Sequence, residues 1–282
     1  MKKKAKRLIK DVILNFIIAL FWTISLLILF VFAMKNTEYA TNDNIEIWLL
    51  MFLSVNFMLI LLYKLYVENS KVLQTMNLTK SFNIAKLPFV FIGGILLSLV
   101  WYWLRTHDAE PSNERRLIEE HNSGDYNNIA LALDSSITAP IMEEMLFRGL
   151  ILFLLAYIII ELNLHKYKIV RFILLPISFC IISSLLFSFA HSHKSVYSYI
   201  GYGLSGFVLC LIYLITKNLM FSILLHAMNN ITSTVYKEVG NSNDFSDGFV
   251  LIKIYAILLC LSLMFIYVPK VFGFLQNKLN KT

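Results

Sequence analysis

The chain has 282 residues, of which 58% are hydrophobic and 15% are charged, and its formal net charge is +7. Soluble domains average roughly 45–50% apolar residues, so this composition indicates an integral membrane protein and argues against a soluble globular domain. The three cysteines, Cys180, Cys210 and Cys260, all lie in apolar runs, which argues against a disulfide framework. The basic N-terminus is interpreted as a topology signal, and no nucleic-acid partner is expected.

Long apolar runs recur along the whole chain. The first has 23 residues, which is longer than the apolar part of a signal peptide, about 7–15 residues, and it is interpreted as a retained spanning helix. The fourth has 32 residues and is expected to be tilted, or broken near Pro140. The sequence therefore predicts an all-α, polytopic membrane helix bundle with about eight transmembrane helices. The runs cover residues 12–34, 45–67, 87–104, 129–160, 170–191, 196–216, 219–235 and 249–268.

The charges between the runs predict the orientation of this bundle. With the N-terminus inside, the inner segments hold 16 Lys and Arg against 3 Asp and Glu, whereas the outer segments hold 6 against 12. This asymmetry agrees with the positive-inside rule, so both termini are expected to face the cytoplasm. The outer loops are expected to include the polar segment 105–128.

Three parts of the chain are expected to differ in role. Residues 1–128 would supply N-terminal transmembrane helices and an outer polar loop, and residues 129–236 a catalytic membrane core. Residues 237–282 would supply a C-terminal transmembrane helix and a cytoplasmic tail. The division places every candidate catalytic side chain in the middle part.

Two adjacent carboxylates, Glu143 and Glu144, interrupt the fourth apolar run, and Arg148 follows. An ionisable group inside a bilayer costs a few kcal/mol or more and by default marks function. Neighbours on a helix point about 100° apart, so the two carboxylates are expected to have different tasks. Glu144 and Arg148 are spaced i, i+4 and can form an ion pair, which leaves Glu143 to face a cavity as a general base. The alternative interpretation is a buried ion-pair cluster that only fixes helix packing.

Two later runs carry further polar side chains. His191 ends the fifth run one turn after Phe187, and His226 and Asn230 share one face of the seventh run at i, i+4. Histidine and asparagine can both donate hydrogen bonds to a developing oxyanion. The alternative is that they link helices, as polar side chains do in membrane bundles.

Other polar residues receive structural interpretations. Glu119, Glu120 and His193 are expected in solvated loops, and Asp134 is expected to cap its helix or to extend toward the membrane surface.

Together these residues resemble the motifs of the CAAX-protease and bacteriocin-processing (CPBP, or Abi) family. The motifs are Glu143-Glu144-x-x-x-Arg148, Phe187-x-x-x-His191 and His226-x-x-x-Asn230, in the family's order and on three separate runs. The resemblance covers roughly residues 134–235.

This resemblance implies an intramembrane endopeptidase that acts on a membrane-associated peptide or protein. Glu143 and His191 would activate a water molecule, and His226 and Asn230 would hold the oxyanion, while Glu144 and Arg148 would support them. The family is named for metalloproteases, and Glu143, His191 and His226 have the donor types of a zinc site. A metal-independent glutamate mechanism uses the same residue types, so both remain open.

The substrate and the physiological role are less sharply predicted. Eukaryotic relatives process prenylated CAAX proteins, and bacterial relatives are linked to peptide pheromone maturation, bacteriocin production and self-immunity. A composition rich in Lys, Ile and Asn favours a bacterial cell membrane. The rival hypothesis is a non-catalytic membrane scaffold or bacteriocin-immunity protein that binds a peptide or a sensor.

Overall fold

A computed structural model describes most of the chain. The described residues are 2–38, 40, 44–107, 128–191, 195–239 and 252–263. The predictions for Glu119, Glu120 and His193 fall outside these ranges.

The described residues are helical, with no strand among them, so the predicted all-α membrane bundle is confirmed. In chain order the helices are α1 (Lys2–Glu38), α2 (Ile45–Tyr63), α3 (Lys71–Thr75), α4 (Leu87–His107), α5 (Asn128–Leu133), α6 (Ala139–Glu144), α7 (Ile151–Glu161), α8 (Leu175–Phe189), α9 (Val196–Thr216), α10 (Leu219–Val239) and α11 (Ile252–Leu263). Wider π-helical turns connect or extend several of them at Lys64–Glu68, Asp134–Thr138, Met145–Leu150 and Val170–Leu174.

Four helical stretches in the described part of the chain are long and apolar enough to cross a membrane. They are Ile45–Glu68, Ile84–Leu104, Val170–Phe189 and Val196–Thr216. Shorter apolar helices lie within the first, seventh and eighth predicted runs, at Ile17–Ala33, Leu219–Ile231 and Ile252–Leu263. All eight predicted runs thus contain helix, while the number that span the membrane stays a prediction.

The fourth run is divided in a way that the sequence did not predict. It stays helical through Pro140, but π-helical turns at Asp134–Thr138 and Met145–Leu150 lie on either side of α6. Pro140 lies in the first turn of α6, where its missing N–H interrupts least. Each π turn holds one residue more than an α-helical turn and rotates the following side chains. The first turn therefore affects the direction in which the Glu143-Glu144 pair points, and Arg148 lies within the second.

Helices α8, α9 and α10 pack around this divided run. Gly206 in α9 allows the close approach, because a Cβ atom there would lie 3.1 Å from Ser184 Cα in α8 and 3.4 Å from the Arg148 side chain. Many large apolar side chains point outward instead, among them Leu27, Phe57 and Ile182. An outward apolar surface of this extent suits lipid, and the polar residues that are buried concentrate between the helices.

The basic segments that separate the runs meet at one end of the bundle. The Lys80 N–H donates to the Lys217 carbonyl at 2.7 Å, and Lys86 Nζ donates to the Thr216 carbonyl at 2.7 Å. Burial, followed by the charges of Lys80, Lys86 and Arg171, lowers the pKa of Lys217. Three segments that were predicted to lie on the inner side, 68–86, 161–171 and 217–218, therefore lie close together.

Candidate active site

Glu144 and Arg148 form a fully buried ion pair. Arg148 Nη1 donates to Glu144 Oε1 at 2.9 Å, and both side chains have 0% exposure. Arg148 Nη2 also donates to the Gly206 carbonyl at 3.1 Å, and the guanidinium carbon lies 4.4 Å from the centre of the Phe187 ring. The ion pair predicted from the i, i+4 spacing is present, and it ties the fourth run to α8 and α9.

Glu144 is also hydrogen-bonded to two residues of α10. His226 Nδ1 lies 2.9 Å from Glu144 Oε1, and the Ser222 hydroxyl lies 2.5 Å from Glu144 Oε2. Ser222 precedes His226 by four residues, so both side chains project from one face of α10. A carboxylate with three buried partners is well suited to stay ionised and to fix the orientation of the imidazole.

Glu143 lies beside both histidines. Its Oε2 atom is 3.9 Å from His191 Nε2 and 3.8 Å from His226 Nε2. This oxygen is buried and has no hydrogen-bond partner among the residues that the structure describes. Both distances exceed direct hydrogen-bond length, and a buried acceptor without a partner is costly. The two distances define a position between these atoms where one small bridging species would contact both Glu143 and a histidine.

The hydrogen bonds of the two imidazoles fix which nitrogen faces Glu143. His191 Nδ1 lies 2.7 Å from the Phe187 carbonyl, and a carbonyl only accepts, so Nδ1 carries the proton. His226 Nδ1 donates in the same way to the ionised Glu144. In the neutral form of each ring, Nε2 therefore presents a lone pair toward Glu143.

Aromatic side chains hold His191 in place. Its ring stacks on Tyr202 with centroids 4.5 Å apart and lies 4.6 Å from the Phe187 centroid. Phe187 in turn meets the His226 ring at 5.7 Å in an edge-to-face arrangement. One phenylalanine thus contacts both histidines and the Arg148 guanidinium, which explains physically why it occurs at this position.

Asn230 lies one turn after His226, in the part of α10 that packs against the π-helical turn Asp134–Thr138. Its Nδ2 atom donates to the Ser135 carbonyl at 2.9 Å. The amide nitrogen carries two hydrogens, and this bond uses one of them. The bond restricts the orientation of the amide group.

The structure thus brings together Glu143, His191 and His226, which the sequence placed on three separate runs. Their catalytic roles, and that of Asn230, stay predictions. Sequence analysis missed Ser222 and Tyr202. For Ser222 a signal existed, because it lies at i−4 from His226 on the same helix face. For Tyr202 there was none, since an aromatic residue in an apolar run is ordinary.

Asp134 differs from its sequence-based interpretation. It lies inside a continuous helical stretch and faces Thr37 and Thr138 between helices, so it neither caps a helix nor extends toward the surface. The reason is that α1 and α2 pack against this π-helical turn and supply polar partners there, which a side chain inside a membrane protein requires.

The donor atoms around Glu143 are of the types that zinc binds. Two imidazole Nε2 lone pairs and one carboxylate oxygen match a catalytic zinc ligand set. Among the residues that the structure describes, no three His, Cys, Asp or Glu side chains are arranged as a preformed metal site. The donor types therefore fit a zinc ion, and the histidines and Glu143 would have to close in on it.

Comparison with known proteins finds one family to which the middle of the chain is similar. Residues 125–232 match the family model described as type II CAAX prenyl endopeptidase Rce1-like. The search of curated proteins and the search of solved structures found no match. The matched range contains every candidate site residue named above. Residues 125–232 are thus similar to the Rce1-like family of type II CAAX prenyl endopeptidases, which supports the family resemblance predicted from the motifs.

Proposed function

We propose that the protein is an intramembrane endopeptidase that cleaves a peptide bond with a water molecule activated by Glu143 and His191. The observation that carries this proposal is the buried Glu143 Oε2 atom, which has no hydrogen-bond partner in the described part of the chain. It lies 3.9 Å from His191 Nε2 and 3.8 Å from His226 Nε2. A carboxylate within reach of a water and oriented beside an imidazole lone pair has the geometry of a general base.

The proposed reaction has two steps. Glu143 takes one proton from the water while the water oxygen attacks the carbonyl carbon of the scissile bond, and His191 Nε2 accepts a hydrogen bond from the water's second hydrogen. The carbon–nitrogen bond then breaks, and the departing amine takes the proton that Glu143 received. The products are a carboxylic acid and an amine, and Glu143 returns to its starting state.

His226 and Asn230 are proposed to stabilise the negative charge on the carbonyl oxygen. His226 can donate from Nε2 when both ring nitrogens carry protons, and its hydrogen bond to Glu144 through Nδ1 fixes the orientation of the ring. Asn230 would donate from its amide group. Donors that are fixed before the reaction cost no reorganisation when charge develops, and each is typically worth a rate factor of about 10²–10³.

A metal-assisted version uses the same residues. If zinc is bound, Glu143, His191 and His226 would hold it, and the ion would lower the pKa of its bound water and polarise the substrate carbonyl. Elemental analysis of the purified protein, repeated with His191→Ala and His226→Ala, distinguishes the two versions. Zinc at one ion per chain that is lost in both variants supports the metal-assisted version.

The proposed substrate is a membrane-associated peptide or protein. Glu143 and His191 keep 29% and 13% of their side-chain area exposed, while the surrounding surface is apolar. A soluble peptide would have to leave water to reach them, whereas a membrane-anchored one would not. Peptide maturation or bacteriocin self-immunity in a bacterial cell membrane fits this substrate class.

The proposed orientation places both termini in the cytoplasm. Support comes from the meeting of segments 68–86, 161–171 and 217–218 at one end of the bundle, with their cations close together. Positive charge at one end of a helical bundle marks the cytoplasmic side. His191 directly follows α8 at the opposite end, so the site would lie toward the outer half of the membrane.

The test of the proposed function is cleavage by Glu143→Gln, which keeps the shape of the side chain but removes its ability to accept a proton. We expect cleavage to be lost at equal membrane level. Glu120→Gln is the matched control because it makes the same chemical change in the polar segment 105–128, and it should cleave normally. Membrane peptides from cells with each variant would be compared by mass spectrometry. Full activity of Glu143→Gln would refute the hydrolytic proposal and favour a non-catalytic scaffold.

A further inference from the structure

The carbonyl of Ser135, which accepts the hydrogen bond from Asn230, has lost its usual helical partners. In an α-helix it would accept from the N–H of residue 139, and in a π-helix from that of residue 140. The Ala139 N–H donates instead to the Asp134 carbonyl, and Pro140 has no N–H. The π-helical turn together with Pro140 therefore leaves an acceptor for the amide of Asn230, at 2.9 Å.

Two helices outside the family match hold this turn. Asn56 in α2 donates from Nδ2 to Thr138 Oγ1 at 3.0 Å, and to the Phe52 carbonyl at 2.9 Å. The Asp134 side chain lies beside Thr138 and beside Thr37 in α1, around one small cavity that these residues line together. Side chains of α1 and α2 thus contact both ends of the Asp134–Thr138 turn.

Because these groups are buried, loss of any of their hydrogen bonds is costly in free energy. Thr37, Asn56 and Thr138 are exposed by only 5%, 8% and 2%, so their polar atoms have little access to water. A buried polar group that loses its partner costs about 1–3 kcal/mol. The turn is consequently held in one position relative to α1 and α2, and the Ser135 carbonyl with it.

We propose that Asn56, Thr138, Asp134 and Thr37 are positioning residues for Asn230, which act through the Asp134–Thr138 turn. By this proposal α1 and α2, which lie outside the matched range 125–232, complete the oxyanion site of the domain. The inference rests on the proposed function, because it takes Asn230 as a donor to the oxyanion.

The test is a double-mutant cycle on cleavage rate. Thr138→Val removes the hydroxyl that accepts from Asn56, and Asn56→Leu removes the amide on the α2 side. Each should lower kcat, by no more than the roughly 10²–10³-fold expected for loss of the oxyanion donor itself, and leave KM nearly unchanged. In an Asn230→Ala background, either change should lower kcat by less than about twofold further, since sites that act through one group are not additive.

Matched controls separate positioning from general damage. Thr138→Ser keeps the hydroxyl and should restore most of the activity that Thr138→Val loses. Ser54→Ala removes a hydroxyl from the same helix as Asn56, but that hydroxyl is exposed and donates to the Leu50 carbonyl of its own helix. It should therefore leave kcat unchanged. Equal losses in the wild-type and Asn230→Ala backgrounds would overturn the proposal, as would wild-type activity of Thr138→Val.

A second measurement does not depend on catalysis. Hydrogen–deuterium exchange of the backbone amides in residues 134–144 should accelerate in Asn56→Leu and stay unchanged in Ser54→Ala. Unchanged exchange in Asn56→Leu would show that α2 does not hold the turn and would overturn the inference, even if Glu143→Gln is inactive. Accelerated exchange together with full cleavage by Glu143→Gln would have two consequences. It would support the conclusion that α2 restrains the Asp134–Thr138 turn, and it would refute the proposed function.

Discussion

Removal of Arg148 should be among the most damaging single changes to the stability of this protein. Its side chain has 0% exposure, bonds Glu144 at 2.9 Å and Gly206 at 3.1 Å, and lies over the Phe187 ring. The variant Arg148→Met keeps much of the volume but leaves the Glu144 carboxylate buried without its cation. Loss of one partner of a buried ion pair costs about 3–5 kcal/mol, against a total stability of about 5–15 kcal/mol.

The magnitude can be checked by thermal unfolding of the purified protein in detergent, followed by tryptophan fluorescence. At about 2–4 °C for each kcal/mol in a chain of this size, Arg148→Met should lower Tm by about 6–20 °C. Arg171→Met is the control, because the Arg171 guanidinium lies over Phe172 at 5.6 Å near the bundle end and should matter little.

A second substitution, at Glu144, tests whether the unpaired buried charge is the cause of the lost stability. If the cost comes from an uncompensated buried charge, removing that charge as well should recover stability. The double variant Glu144→Gln/Arg148→Met should therefore be more stable than Arg148→Met alone, although less active. A double variant whose Tm falls by the sum of the two single losses would contradict this explanation, as would a wild-type Tm for Arg148→Met.

Further predictions concern activity and topology. Ser222→Ala should lower kcat by about tenfold, because Glu144 loses a buried hydrogen-bond partner worth roughly 1–3 kcal/mol, while Ser222→Thr retains activity; equal kinetics of Ser222→Ala and wild type would count against its role. His191→Ala should abolish cleavage, whereas Asn230→Ala should leave a trace, about 10⁻²–10⁻³ of the wild-type rate; the reverse order would contradict the assigned roles. Reporter fusions within 110–125 and at the C-terminus should report opposite sides of the membrane, and the same side for both would show that the predicted span count is wrong.

The sequence by itself determined the class of the protein and singled out the candidate site residues. Apolar runs of spanning length leave few structures besides a helical bundle, because every backbone polar group in lipid must bond internally. Ionisable side chains inside such runs are costly, so Glu143, Glu144 and Arg148 were conspicuous without any structure. The i, i+4 spacing was sufficient to predict the Glu144–Arg148 pair and the shared face of His226 and Asn230, since both are local properties of one helix.

Only the tertiary structure decided which groups from different helices meet. The side chains of Ser222 and Tyr202 belong to the site because α9 and α10 pack against the divided run, and that packing depends on shape at positions such as Gly206. The Asp134–Thr138 turn is a clearer case. Its π-helical backbone arises from Pro140 and from partners on α1 and α2, which lie about 80–100 residues away in sequence. Helical periodicity relates residues within a few turns of each other and carries no information about contacts over that separation.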